Sequence, residues 1–353
     1  MPIEKSLFGM LEEIHPVYAY TMRNGSPTSV RVMDFGGALL NIWTEDKNGN
    51  VDDVIFGYDD VNDYITSGGH HGALVGRCGN RIGNSTFTLD GVTYHLNANE
   101  GKHHLHGGLR GFSRRFWEVQ TGGTDEEPAL IMTKISPDGE ENYPGTLIAT
   151  VTYTLTATGA LKIHYKATTD KPTVVNLTNH AYFNLSGYQK GNIGTHQLWL
   201  NADKINAIDR EMIPTGELSD VTGTPYDFRV MKSLEDAIAS EHPDVRYLDG
   251  FDNNFILTNC DGTVRKQATL VHPESGRVMN VYTDQPCIQV YTSNKIKPTA
   301  KPFKGGIPQE KHFAVCLEAQ AMPDSINHPG FTDVVLRPGE VYETTTIYEF
   351  TCK

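Results

Sequence analysis

Between positions 147 and 155 the side chains alternate with a period of two: Leu147, Ala149, Val151, Tyr153 and Leu155 fall on one face, Ile148 and the threonines 150, 152 and 154 on the other. That repeat belongs to an extended strand, so the run commits the chain to a sheet with one apolar face. After Thr158-Gly159-Ala160 the device recurs, with Leu161, Ile163, Tyr165 and Ala167 set against Lys162, His164, Lys166 and Thr168, which predicts a hairpin. Comparable runs occupy 85–96, 266–271, 278–282, 288–292, 314–320 and 341–351. Many short strands divided by Gly, Pro, Asn and Asp predict an all-β antiparallel sandwich rather than an alternating βαβ fold. Helix is scarce, with 233–240 the best candidate and 59–64 a weaker one. No repeat, low-complexity tract or composition shift divides the chain, so one domain is expected over residues 1–353.

Composition narrows the partners. With 30 Lys and Arg against 43 Asp and Glu, the formal charge of -13 repels nucleic acid and anionic lipid, and a neutral small molecule fits better. Five cysteines, odd in number and without a C-x-x-C pair, indicate neither a disulfide framework nor a structural zinc site. The N-terminus lacks a basic region followed by an apolar one, and no stretch approaches the roughly 18 apolar residues that span a bilayer. A soluble, unexported, cytoplasmic chain is expected.

Two histidines and a carboxylate stand in settings that suggest chemistry. In Asn176-Leu177-Thr178-Asn179-His180-Ala181-Tyr182-Phe183-Asn184 the period of two gathers Asn176, Thr178, His180, Tyr182 and Asn184 on one face of a strand. A solvated face more often carries Lys or Glu, whereas this row suits a polyol. His106 stands in Leu105-His106-Gly107-Gly108. The same alternation puts Cys316, Glu318 and Gln320 on one face, and Cys287, Gln289 and Tyr291 on one face of the preceding strand, so an acid and an amide converge on one groove. A carboxylate with two imidazoles is the equipment for moving protons on a neutral substrate near pH 7.

Other segments admit two readings. His104 and His106 share a face as metal ligands do, but no carboxylate follows until Glu118, which argues against a metal. Arg77, Asn80 and Arg81, among glycines at 76–83, either bind hydroxyls or anions or brace a turn; no phosphate-loop or dinucleotide pattern occurs there. Asp249 and Asp252 sit in turn-rich sequence where capping competes with ligand binding. The Lys, Pro and Gly-rich stretch 295–311 is either a solvated connection or a loop overhanging the site.

Taken together these segments resemble the aldose 1-epimerase family, also called galactose mutarotases, over about residues 9–350. The resemblance is carried by Gly-Arg-x-x-Asn-Arg-Ile at 76–82, Leu-His-Gly-Gly at 105–108, Asn-Leu-Thr-Asn-His-x-Tyr-Phe-Asn-Leu at 176–185, Asp252 in Phe-Asp-Asn-Asn-Phe, Gln289 in Gln-Val-Tyr-Thr, Leu-Glu-x-Gln at 317–320 and Pro-Asp-Ser-Ile-Asn-His-Pro at 323–329. It implies the large twisted β-sandwich of that family, interconversion of the α and β anomers of free hexoses, and no cofactor or metal. By position Glu318 would be the general base at the C1 hydroxyl and His180 the general acid at the ring oxygen. His106 would polarise the substrate near that oxygen, while Asn80, Arg81, Tyr182, Asp252 and Gln289 would bind hydroxyls. Cys78-Gly79 departs from what the family often has in that turn, which bears on pocket shape. Two alternatives stand beside this reading: a hexose-6-phosphate mutarotase using Arg110, Arg114 and Arg115 as a phosphate clamp, and a non-catalytic sugar-binding module on the same sandwich. Either a monomer or a homodimer is compatible with the sequence.

Overall fold

In the computed structural model, which describes residues 2–295 and 301–353, the expected hairpin is the centre of a large sheet. Leu147–Leu155 pairs with Leu161–Thr169 through Leu155 opposite Leu161, and Gly159 takes the left-handed turn position at a φ of 83°. Nine strands join this sheet. In spatial order they are Glu118–Gly123, Pro128–Ser136, Leu147–Leu155, Leu161–Thr169, Tyr342–Cys352, Arg277–Thr283, Arg265–His272, Gln197–Leu200 and Lys232–Ser233. Every pairing within it is antiparallel.

Two five-stranded sheets lie against its apolar face. The first is a meander of Ile3–Leu11, His15–Met22, Ser29–Met33, Leu39–Glu45 and Val51–Asp53. The second runs Pro214–Asp220, Ala202–Ile208, Asp252–Leu257, Cys287–Tyr291 and Cys316–Gln320 in spatial order. One apolar cluster takes Val151 and Tyr153 from the large sheet, Met22 and Val32 from the first small sheet, and Phe255, Val290 and Leu317 from the second. Each such side chain contributes about 1.5–3 kcal/mol by leaving water, which binds the layers into an open sandwich.

The structure also corrects the sequence reading. None of the runs identified above precedes residue 85, yet the chain opens with five strands. Ile3–Leu11 is irregularly buried, and its pairing with His15–Met22 is broken by a bulge between Leu7 and Gly9, so the period of two is lost. The run 85–96 is a hairpin of Thr86–Leu89 and Val92–His95 that turns at Asp90-Gly91. Of three short helices among the described residues, Leu234–Ile238 and Asp63–Thr66 fall in or beside the expected places, the former capped by Ser233 accepting from the Glu235 N–H. Pro243–Leu248 was not anticipated, although Pro243 at its first turn and Asp244 after it are helix-start signals. All five cysteines are free thiols, and no helix among the described residues is long and apolar enough to cross a membrane.

Candidate active site

Three segments distant in sequence are knitted together at one end of the second small sheet. Leu74–Val75 pairs with Thr178–Asn179, and Arg81–Ile82 pairs with His104–Leu105. Gly107 explains the paired glycines of its motif: at a φ of 81°, a Cβ there would lie 1.7 Å from the Gly76 carbonyl oxygen, so only glycine permits that approach. His106 is thereby fixed beside Asn80, giving its own N–H to the Asn80 carbonyl at 3.0 Å while its Nδ1 accepts the Asn80 N–H at 3.3 Å. His180 gives its N–H to the Ala73 carbonyl at 3.0 Å and accepts the Gly72 N–H at 2.8 Å.

The row expected along one strand at 176–184 is not a continuous strand; only Thr178–Asn179 is regular. Its alternation survives, but its members part company. Asn176 and Thr178 bond the Ala321 and Ala319 backbone, and Asn184 bonds the Phe313 and Gly191 carbonyls. His180 and Tyr182 alone among the five line the cavity.

Glu318 stands directly across the strand pair from Gln289 and is buried. Its Oε1 lies 3.6 Å from His180 Nε2, while Glu318 Oε2 and Gln289 Oε1 have no protein partner among the described residues. Buried polar atoms left open in a cavity are where a ligand's hydrogen bonds belong. Gln289 donates to Asp252 Oδ1 at 2.8 Å, and Arg81 forms a two-pronged pair with Glu100 at 2.6 and 2.9 Å. The cavity these groups line has a volume of about 190 Å³, below the roughly 300–1,000 Å³ of drug-sized pockets.

Burial controls the titration. It pushes the Glu318 carboxyl well above its ordinary range, reinforced by Asp252 and opposed by Arg81. It pushes His180 down, helped by His71, and His106 down, helped by His70 and His180. Arg81 would also be lowered by burial, but Asp252, Glu100 and Glu318 outweigh this and raise it. Two cations, Arg81 and Lys295, face the carboxylates of Glu100 and Asp252 while Glu318 is held toward its neutral form, so the lining carries no surplus positive charge to draw an anionic ligand.

All the residues expected in the site line this one cavity: Asn80, Arg81, His106, His180, Tyr182, Asp252, Gln289 and Glu318. Tyr182, expected to bind a hydroxyl, donates its own to the Gly69 carbonyl at 2.7 Å and stacks on His180 at 4.9 Å, so it supports more than it offers. Arg77 points away and is structural. His104 spends both ring nitrogens on Tyr143 and the Asn97 carbonyl, at 2.8 and 2.7 Å, which removes it as a metal ligand. Among the described residues, His106, His180 and Glu318 form one group able to converge on a cation, with ligand atoms within 4.8 Å of one another. Asp249 ends the helix Pro243–Leu248 in a left-handed conformation. Cys78 packs into a separate apolar cluster, and a side chain at Gly79 would face Thr178 and Asn176, so neither shapes the cavity. Arg110, Arg114 and Arg115 do not line it, and Arg115 pairs with Glu140. From the stretch 295–311, Lys295 lines the cavity, whereas 296–300 lie outside the described residues.

Sequence reasoning missed His70, which lines the cavity from the turn Gly68-Gly69-His70-His71-Gly72. A glycine-rich turn around paired histidines was the available signal. His70, Asn80 and His106 all hold left-handed backbone, at φ values of 51°, 59° and 51°. Such strain in non-glycine residues gathers at functional sites.

Fold and site define a β-sandwich protein with a buried acid–base pocket sized for one small polar molecule. A model of the aldose 1-epimerase family matches residues 18–349. The chain belongs to that family. It is 41% identical over 325 residues to a human galactose mutarotase, covering 91% of this chain and 90% of that one. To an Escherichia coli aldose 1-epimerase it is 36% identical over 338 residues, 95% of each chain. A solved galactose 1-epimerase from Lactobacillus acidophilus superposes with a TM-score of 0.86 at 25% identity, covering 99% of this chain and 98% of that one.

Proposed function

We propose that this protein interconverts the α and β anomers of free hexoses such as galactose and glucose, with Glu318 and His180 exchanging protons with the sugar. The observation that carries this reading is the buried, closely spaced carboxyl and imidazole in a pocket of hydroxyl-binding groups. Ring opening moves the C1 hydroxyl proton to Glu318 and a proton from His180 to the ring oxygen, breaking the C1–O5 bond. The pair passes from carboxylate and imidazolium to carboxylic acid and imidazole, with no net proton gained or lost. Rotation about C1–C2 presents the other face of the aldehyde, and the reverse transfers close the ring. Burial favours the uncharged members of the pair, so the carboxylate and imidazolium that open the ring are the less populated form in the free protein, and the uncharged pair is the one that accompanies the open chain.

His106 polarises the sugar near the ring oxygen, and Asn80, Arg81, Asp252 and Gln289 hold hydroxyls. With Glu318 held toward its neutral form the lining carries as many cations as carboxylates, and this lack of surplus positive charge supports an uncharged sugar over a phosphorylated one. Residues 1–353 act as one such unit in this reading, and five unpaired thiols support a cytoplasmic location. Glu318→Gln tests it. Galactose binding by calorimetry should change little, while anomer exchange measured by saturation-transfer NMR should fall at least about a hundredfold. Exchange within about tenfold of wild type in a folded variant would remove Glu318 as the base.

A further inference from the structure

His70 lines the same cavity as His180 and Glu318, yet ring opening leaves it without a task. Its ring centre lies 4.8 Å from that of His106, and it is inclined 24° to His180 at 6.3 Å. Nδ1 is 2.8 Å from the hydroxyl of buried Ser113, which fixes the ring. No other hydrogen bond to this imidazole is found among the described residues, so Nε2 is unspent. The backbone is held too: His70 has a φ of 51° after two left-handed glycines, and Tyr182 bonds the carbonyl of Gly69. Left-handed backbone costs a residue such as histidine energy that the surrounding packing must offset.

The position of His70 identifies the part of the sugar it meets. In a pyranose the ring oxygen lies between C1 and C5. With Glu318 at the C1 oxygen and His180 at the ring oxygen, C5 and its exocyclic carbon lie beyond His180 on the side away from Glu318. Gln289 and Asp252 flank Glu318; His70 flanks His180 and His106.

We propose that His70 hydrogen-bonds the C6 hydroxyl of the bound hexose and makes the pocket prefer aldoses carrying that hydroxyl to 6-deoxyhexoses and pentoses. The proposal rests on the assignment of Glu318 and His180 above. Either tautomer serves: if Nδ1 donates to Ser113, Nε2 accepts from the sugar, and if Ser113 donates, Nε2 donates. Burial, with His180 and Arg114, pushes the His70 pKa down to about 3, so it stays neutral and leaves the mobile proton to the catalytic pair.

The test compares kcat/KM for anomer exchange of D-galactose, 6-deoxy-D-galactose and L-arabinose, the pentose of matching configuration. Wild type should favour galactose over the 6-deoxy sugar by roughly three- to tenfold, the worth of one neutral hydrogen bond. In His70→Phe that ratio should fall to near one, chiefly through a higher KM for galactose, and His70→Gln should restore part of it. Should His70→Phe fail to fold, His70→Asn suits left-handed backbone, is too short to reach, and should give the same loss. An unchanged ratio in a folded variant, or no preference in wild type, overturns the proposal. Failure of wild type to exchange any of the three sugars would instead overturn the acid–base reading on which it rests.

Discussion

Arg77 is a test of whether the guanidinium pair in Gly-Arg-x-x-Asn-Arg-Ile has been divided correctly between structure and site. Its Nε meets Ser136 Oγ at 2.9 Å, Nη1 meets the Pro144 carbonyl at 2.9 Å and Thr173 Oγ1 at 3.3 Å, and Nη2 meets the Ser136 and Pro137 carbonyls, both at 2.9 Å. The side chain is 2% exposed. Arg77→Met keeps the apolar stem and removes every donor. The hydroxyls can rotate to other partners and the Pro137 carbonyl keeps the Glu140 N–H at 3.0 Å, but the Ser136 and Pro144 carbonyls lose the guanidinium, at about 1–3 kcal/mol for each buried acceptor. Part of this is offset because the guanidinium no longer has to be buried, a cost visible in its pKa, which desolvation lowers to about 10. A net loss of about 3 kcal/mol remains, roughly a 150-fold change in the folding equilibrium. Reversible urea unfolding followed by intrinsic fluorescence measures it, alongside the KM for galactose on the folded protein. A loss below about 1 kcal/mol, or a tenfold rise in KM at unchanged stability, would refute the division and return Arg77 to the site.

Prolonged chelation should leave activity intact, whereas added Zn²⁺ should inhibit competitively against galactose and be reversed by chelator. Two imidazoles and a carboxylate within 4.8 Å are a zinc donor set in the proposed sugar pocket; inhibition that galactose does not relieve would count against it. Acid should destabilise the fold through His196, whose pKa burial and His272 push down to about 3. Its folded pKa lies below the unfolded value of about 6.5, so this contribution is complete above pH ~6.5 and lost toward pH 3 at about 1.4 kcal/mol per unit. Glu318, raised on folding, acts in the opposite sense, so the informative measurement is the slope of thermal midpoint between pH 7 and 5 in wild type and His196→Gln; equal slopes would exclude the histidine.

What could be read from the sequence followed how locally each property is encoded. Leu147–Leu155 and Leu161–Thr169 carry their burial pattern in their own alternation, so strand, face and turn were all visible. The first five strands were hidden because bulges break their alternation and their burial depends on distant partners. In the site, Glu318 and Gln289 were placed on one groove by simple periodicity and stand opposite each other. Arg77 and Arg81 could not be separated by spacing, since their difference lies in where the Ser136–Pro137 and Glu100 segments pass. His70 was missed because its entry into the cavity depends on a left-handed turn and on Ser113, neither of which periodicity reports.

Cys316–Gln320, which carries Glu318, is the last strand of its sheet, with a strand partner on one side only. On its other side successive outward carbonyls meet different donors: Val315 the N–H of Phe183, Leu317 the Tyr348 hydroxyl, Ala319 the Thr178 hydroxyl and Ala321 the Asn176 amide. An unpaired edge invites another chain to add itself as a strand; here the invitation is withdrawn residue by residue. Because each donor differs in reach, the strand also cannot slide by two positions without mismatching several of them, so the register that sets Glu318 against His180 is fixed from outside the sheet as well as within it.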